Sequence, residues 1–149
     1  MKINFIRSSK KKKILKQLNL QFGITKIPHL LIETAKNKFR GYTGTLSKEE
    51  IAELNRITNI ESIGLYLIKE EGELRLSIDA THLFKDQITK NIVEIDKPQF
   101  EKWIRGHDLN ISATKRVKVI KYDDNFIGCG KSNEETIFNY VPKERRIKK

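Results

Sequence analysis

The chain has 149 residues, of which 38% are hydrophobic and 33% charged, and a formal net charge of +11. That is the size of one ordinary domain, or of two small lobes sharing a core, with enough apolar content for a packed interior. No apolar run approaches a membrane span, no signal-peptide h-region opens the sequence, and the lone Cys129 excludes an internal disulfide, so a cytoplasmic, reducing setting is the expectation.

The excess charge is concentrated at the two ends. Residues 1–32 hold eight Lys or Arg and no acid, and residues 142–149 hold five basic residues and one acid. Residues 33–141 hold 17 basic and 18 acidic residues, so the local tallies are +8, +4 and −1. Basic ends around a neutral middle are the electrostatic footprint of a polyanion binder, most often of nucleic acid. Lys10, Lys11, Lys12, Lys13 and Lys16 form the densest patch.

In chain order, Ile3–Ile6 reads as a short strand. A helix is expected from about Ser9 to Phe22, capped by Ser8 or Ser9 and stopped by Gly23. Ile14, Leu15, Leu18 and Phe22 make its apolar stripe, with Lys12, Lys13 and Lys16 on the wet side. "HLLIET" and "KFRGYTG" read as strands. "SKEE" is a capping box, with Ser47 at the N-cap and Glu50 reaching back, and it opens a helix whose stripe is Ile51, Leu54 and Ile57. "SIGLYLIKEEGELRLSID" predicts a hairpin turning at Gly72, with Leu74, Leu76 and Ile78 alternating with Arg75, Ser77 and Asp79. A helical turn near "ATHLFKD" and a strand in "KNIVEID" follow. Asp96 then caps a helix holding Phe100, Trp103 and Ile104 and ending at Gly106. "RVKVIKY", a polar turn at Asp123–Asn125, "FIGCG" and "TIFNYV" complete the β pattern, and Pro142 releases a basic tail. Short strands with turns about every ten residues predict a small barrel rather than a parallel sheet.

Several chemical motifs are tested and rejected. "NFIGCGKS" carries the second half of a phosphate-binding P-loop, with Gly130, Lys131 and Ser132, but Asn125 stands where the first glycine belongs. A P-loop also needs a following helix within a parallel α/β sheet, and only 17 residues follow Ser132. His29, His82 and His107 lie 53 and 25 residues apart with no zinc-type spacing, and each is expected at the surface or its boundary. Cys129, between two glycines, reads as a small buried residue without a partner base. No catalytic residue, metal ligand or cofactor is assigned. Tyr122 and Tyr140 are the aromatic candidates for stacking beside the basic residues.

The section "VIKYDDNFIGCGKS" resembles the closing part of a PUA domain, a pseudo-barrel used by RNA-modifying enzymes and ribosome-assembly factors. The wider stretch "GLYLIKEEGELRLSIDATHLFKDQITKNIVEID", joined to "FIGCGK…NYVPKERRI", is more specific. It is similar to the RNA-binding PUA-like domain of Sun-family (RsmF-type) RNA cytosine-5 methyltransferases and to stand-alone archaeal proteins of that group. The resemblance covers roughly Gly64 to Ile147, and the first sixty residues resemble a pre-PUA lobe. In that family a separate core binds S-adenosylmethionine and uses paired cysteines, and this sequence has one cysteine. What the resemblance implies is therefore RNA binding without methylation.

The implied fold is α+β: a small mixed α/β, pre-PUA-like lobe over 1–62, then a PUA-like β pseudo-barrel with a basic tail over 63–149. The implied function is non-catalytic RNA binding in rRNA or tRNA modification or ribosome biogenesis. Structured RNA, a separate RNA methyltransferase and pre-ribosomal proteins are the implied partners. The implied RNA-binding positions are His82, Lys85, Lys90, Asn91, Lys131, Arg145 and Arg146, with Gly128 and Gly130 letting the strand bend or the RNA backbone approach. The alternative is a protein–protein adaptor whose basic ends only assist.

Overall fold

The computed structural model describes residues 1–148, so Lys149, at the end of the expected basic tail, lies outside the described residues. After a two-residue strand, β1 (Asn4–Phe5), comes α1 (Ser8–Phe22). Ile14, Leu18 and Phe22, spaced four apart, are buried along one face, whereas Lys12, Lys13 and Lys16 are exposed. The expected serine cap is not formed. Ser8 and Ser9 both lie inside the helix, Arg7 occupies the N-cap position, and no side chain caps it, which the exposure of this first turn to water tolerates. Gly23 ends α1 with φ 86°, its N–H donating to the Asn19 carbonyl (3.0 Å).

β2 (Leu30–Ala35) and β3 (Lys38–Tyr42) pair antiparallel. α2 (Lys48–Thr58) intervenes before the hairpin of β4 (Leu65–Glu71) and β5 (Glu73–Leu76), which turns at Gly72. The first sheet runs β1-β2-β3-β4-β5, antiparallel throughout. Strand alternation splits its side chains between two cores. Leu31 and Phe39 pack with Ile14, Leu18 and Phe22 of α1, while the neighbouring Ile32 packs with Ile51 of α2 and Ile63.

The expected inward stripe of α2 holds only at Ile51, which is 1% exposed; Leu54 is 41% and Ile57 71% exposed. One residue reaches the sheet, and further attachments of α2 are polar. Asn55 Nδ2 donates to the Met1 carbonyl and Asn55 Oδ1 accepts the Ile60 amide (2.8 Å each). Of the expected capping box, Ser47 Oγ accepts the Glu50 amide (3.1 Å), without a returning bond from the Glu50 carboxylate.

The remaining elements are α3 (Ile78–Leu83), β6 (Ile92–Ile95), α4 (Lys97–Ile104), β7 (Arg116–Tyr122), β8 (Asn125–Ser132) and β9 (Ile137–Asn139), with a 3-10 turn at Lys143–Arg145. Asp96 and Gln99 form a complete capping box on α4. The second sheet runs β6-β7-β8-β9 and contains one parallel pair, β6 with β7, because α4 lies in the crossover between them. Trp103 of α4 is fully buried, and its Nε1 donates to the Ile127 carbonyl (3.0 Å). β5 lies against β7, where the Val117 amide donates to Glu73 Oε1 (3.2 Å). The architecture is α+β, and its first sheet continues through position 62/63.

His29 is buried, not at the surface, with its ring edge-on to Phe84 (6.2 Å) and its Nδ1 unpartnered. Burial, reinforced by the Lys11 ammonium, holds its pKa below the ordinary imidazole value. The folded protein therefore takes up this proton less readily than the unfolded chain. The stability that His29 contributes is present above the unfolded pKa of about 6.5 and is lost as pH falls through and below it. Urea titrations across this range check the effect: His29→Gln flattens the acid-side slope. Leu18→Ala, at a fully buried site, is expected to cost about 2–5 kcal/mol, and Leu54→Ala, on the exposed stripe, under about 0.5 kcal/mol.

Candidate nucleic-acid interface

The sequence "NFIGCGKS" is β8 itself, paired on both sides by β7 and β9, and the element that follows it is the strand β9 and not a helix. Its glycines serve packing. A Cβ on Gly130 would come within 2.7 Å of both Ile137 and Trp103 side chains, and Gly128, at φ 102°, faces Ile78. Both are buried, so neither offers backbone to RNA. Lys131, next along the strand, is exposed.

The expected binding residues fall into separate groups. His82 and Lys85 are exposed around α3, beside Asp124, Asn125 and Phe126; His82 Nε2 donates to the Phe126 carbonyl (2.7 Å). Lys90 and Asn91 sit at the C-terminal end of α1. Lys90 Nζ donates to the Asn19 carbonyl (3.2 Å), and Asn91 Nδ2 to that of Gln21 (2.5 Å). Asn91 Oδ1 accepts from Lys118 Nζ (2.8 Å), so both the oxygen and the nitrogen of the Asn91 amide make bonds within the protein. Arg146 is likewise turned inward: its Nε donates to the Val141 carbonyl (3.0 Å) and its side chain fills the space beside Gly106. On α1, Lys10 pairs with Glu33 (3.4 Å) and Lys11 donates to the His29 carbonyl (2.8 Å), which leaves Lys12, Lys13 and Lys16 as the exposed lysines of the patch.

Lys131 and Arg145 converge with residues the sequence did not single out. A cavity of about 380 Å³ is lined by Lys38 (β3), Tyr66 (β4), Arg75 (β5), Asp79 (α3), Tyr140 and Arg145, among others. A smaller recess holding Lys131 shares Arg75 and Tyr140 with it. The Lys38 ammonium stands 4.4 Å above the Tyr66 ring, and the Arg75 guanidinium 4.2 Å above that of Tyr140. Arg145 pairs with Asp79 (3.2 Å) across the opening. Burial pushes the Tyr66 phenol up, with Arg75 opposing the shift, so the phenol is a hydrogen-bond donor at neutral pH. Tyr122, the other aromatic candidate, is stacked on Phe100 (4.2 Å between centroids) and belongs to the packing around α4.

Lys38, Tyr66 and Arg75 were hidden because they occur in three separate strands. Their only signal was position: Arg75 alternates with buried Leu74 and Leu76, and Tyr66 faces Arg40, two residues beyond Lys38, across the β3–β4 ladder. What the arrangement can do is hold anions and flat rings together.

Cys129 also lines this cavity, but burial pushes its thiol up to about 12. Among the described residues, no group of three or more His, Cys, Asp or Glu could hold a metal ion, and no helix is long and apolar enough to cross a membrane. In the folded protein Cys129 is expected to resist iodoacetamide at pH 8 and to react fully in denaturing urea. Rapid alkylation of the native protein, read by mass spectrometry, would contradict this burial.

Residues 90–147 match the family model described as the methyltransferase RsmF PUA domain. No curated protein matches the chain. Among solved structures, the chain is similar to a conserved PUA domain protein from Thermoplasma acidophilum. The TM-score is 0.63 at 17% identity, over 95% of this chain and 94% of that one. Residues 90–147 are thus similar in sequence to the RsmF-type PUA domain, and the fold of the chain is that of a PUA domain protein.

Proposed function

We propose that this protein binds structured RNA, without catalysing a reaction on it, through the groove where its two sheets meet. The observation that carries this reading is the convergence of Lys38, Arg75, Lys131 and Arg145 on the Tyr66 and Tyr140 rings. Phosphate contacts position an RNA and aromatic faces hold its bases, and this groove offers both. The match of residues 90–147 to an RNA-methyltransferase PUA domain supports a role in rRNA or tRNA modification or in ribosome biogenesis. A separate methyltransferase or pre-ribosomal proteins would be the partners, in the cytoplasm. In this reading the chain divides into a pre-PUA-like part, 1–62, and a PUA-like part, 63–149. Lys12, Lys13 and Lys16, with His82, Lys85 and Lys90, extend the phosphate track, while Asn91 and Arg146 hold the scaffold.

Binding is expected to weaken steeply with salt. Six phosphate contacts give a log–log slope of about −4 to −5, and replacing both Lys131 and Arg145 with Ala makes it shallower by about 1 to 2. A flat salt response in a titration with bulk tRNA or rRNA would sink the proposal.

One observation favours the adaptor as a second reading. Leu46, just before α2, and Leu54 and Ile57 on it form an exposed apolar patch beside Glu49, Glu50 and Glu53, in a chain with a net charge of +11. RNA is repelled from such a face, whereas a protein is not. If the adaptor role is the principal one, Leu54→Asp with Ile57→Asp abolishes co-purification of a nuclease-resistant protein partner while RNA affinity is unchanged.

A further inference from the structure

The cavity between Tyr66 and Tyr140 carries more information than its charge. A site for phosphate alone gains nothing from carboxylates, yet Asp79 and Glu144 line this one beside Lys38, Arg75 and Arg145. Bases, unlike phosphates, present N–H donors that a carboxylate accepts. The two rings line the same concavity, and a cation covers one face of each, at 4.4 and 4.2 Å, so a base meets the other face or edge of a ring, or displaces the cation. A volume of about 380 Å³ is at the lower end of the range that encloses a small organic ligand, about 300–1,000 Å³.

Duplex RNA cannot use such a site. Its base faces are stacked inside the helix, and a concave pocket would meet only sugars and phosphates. From these features we infer that the cavity receives a single unpaired nucleotide: its base against Tyr66 and Tyr140, its phosphate toward Lys38, Arg75 or Arg145, and its N–H edge toward Asp79. The Asp79–Arg145 pair, half open to solvent, is weak enough to be exchanged for these contacts. This inference rests on the reading of the groove as an RNA interface and specifies which RNA the groove selects.

The test compares two probes with the full chain at equal salt: a fluorescein-labelled unstructured RNA of about twelve nucleotides, and a blunt duplex of the same length. The single strand is expected to bind several-fold more tightly. Tyr140→Ala should weaken single-strand binding about tenfold while leaving duplex binding and the salt slope unchanged, and Tyr140→Phe should retain affinity. Should the alanine variant lose its thermal unfolding transition, Tyr140→Leu, which keeps bulk without an aromatic face, makes the same comparison. Equal or tighter duplex binding overturns the inference, as does an equal loss on both probes or no loss on either; salt-dependent binding of both probes would leave the RNA interface standing. If neither probe nor bulk tRNA binds, the RNA interface itself is wrong and the nucleotide site falls with it.

Discussion

The end of α1 is the joint on which the molecule depends. Gln21, almost fully buried, exchanges two side-chain hydrogen bonds with the backbone of Leu74, its Nε2 donating to the carbonyl and its Oε1 accepting the amide (2.9 Å each). The Gln21 carbonyl receives Asn91 Nδ2, and Asn91 Oδ1 receives the buried Lys118 ammonium. The Phe22 carbonyl takes the amides of Thr89 and Lys90. The carbonyls of this helix terminus, which lack partners within the helix, are thus satisfied by residues 89–91 on the way into the second sheet, while the Gln21 side chain holds β5 of the first. A buried amide left unpaired costs about 1–3 kcal/mol, so this network tolerates a single docking of the sheets.

That fixed docking is what creates a groove. Lys38, Tyr66 and Arg75 come from the first sheet, Lys131 from the second, and Tyr140 and Arg145 from the segment after β9. Neither half contains the constellation alone. The burial of Lys118 belongs to the same logic. Loss of hydration lowers its pKa, Glu73 opposes the shift, and the ammonium lies against Asn91 and Thr114 where water would otherwise have to enter the joint.

The fold was legible where periodicity and cap chemistry agree. α1, the Gly72 hairpin and the Asp96-capped α4 follow from apolar spacing and turn residues, since those signals are local. α2 is the exception. Its i, i+3, i+6 apolar spacing matches a core-facing helix, and nothing local reveals that its neighbour is narrow enough to cover Ile51 alone. The candidate site was half legible. Lys131, Arg145 and Tyr140 stand out as basic and aromatic residues near the chain's end. The placement of Lys38 near Tyr66 depends on a register shift in the β3–β4 ladder, and that of Arg75 on the pairing of β5 with β4, both of them tertiary outcomes. Asn91 and Arg146 illustrate the converse: a polar side chain in a promising segment can be bonded to the scaffold.

The C-terminal segment is held at successive residues. Arg145 meets Asp79, Arg146 Nε meets the Val141 carbonyl, and the Ile147 amide donates to the Ile104 carbonyl (2.8 Å). A free basic tail would have to be immobilised on each encounter with a polyanion, at about 0.5–1.5 kcal/mol for every long side chain ordered. Here much of that ordering has already taken place during folding. If RNA binds here as proposed, the charges of this segment would meet it as a rigid template with a defined shape, whereas a loose tail would adapt to any phosphate spacing.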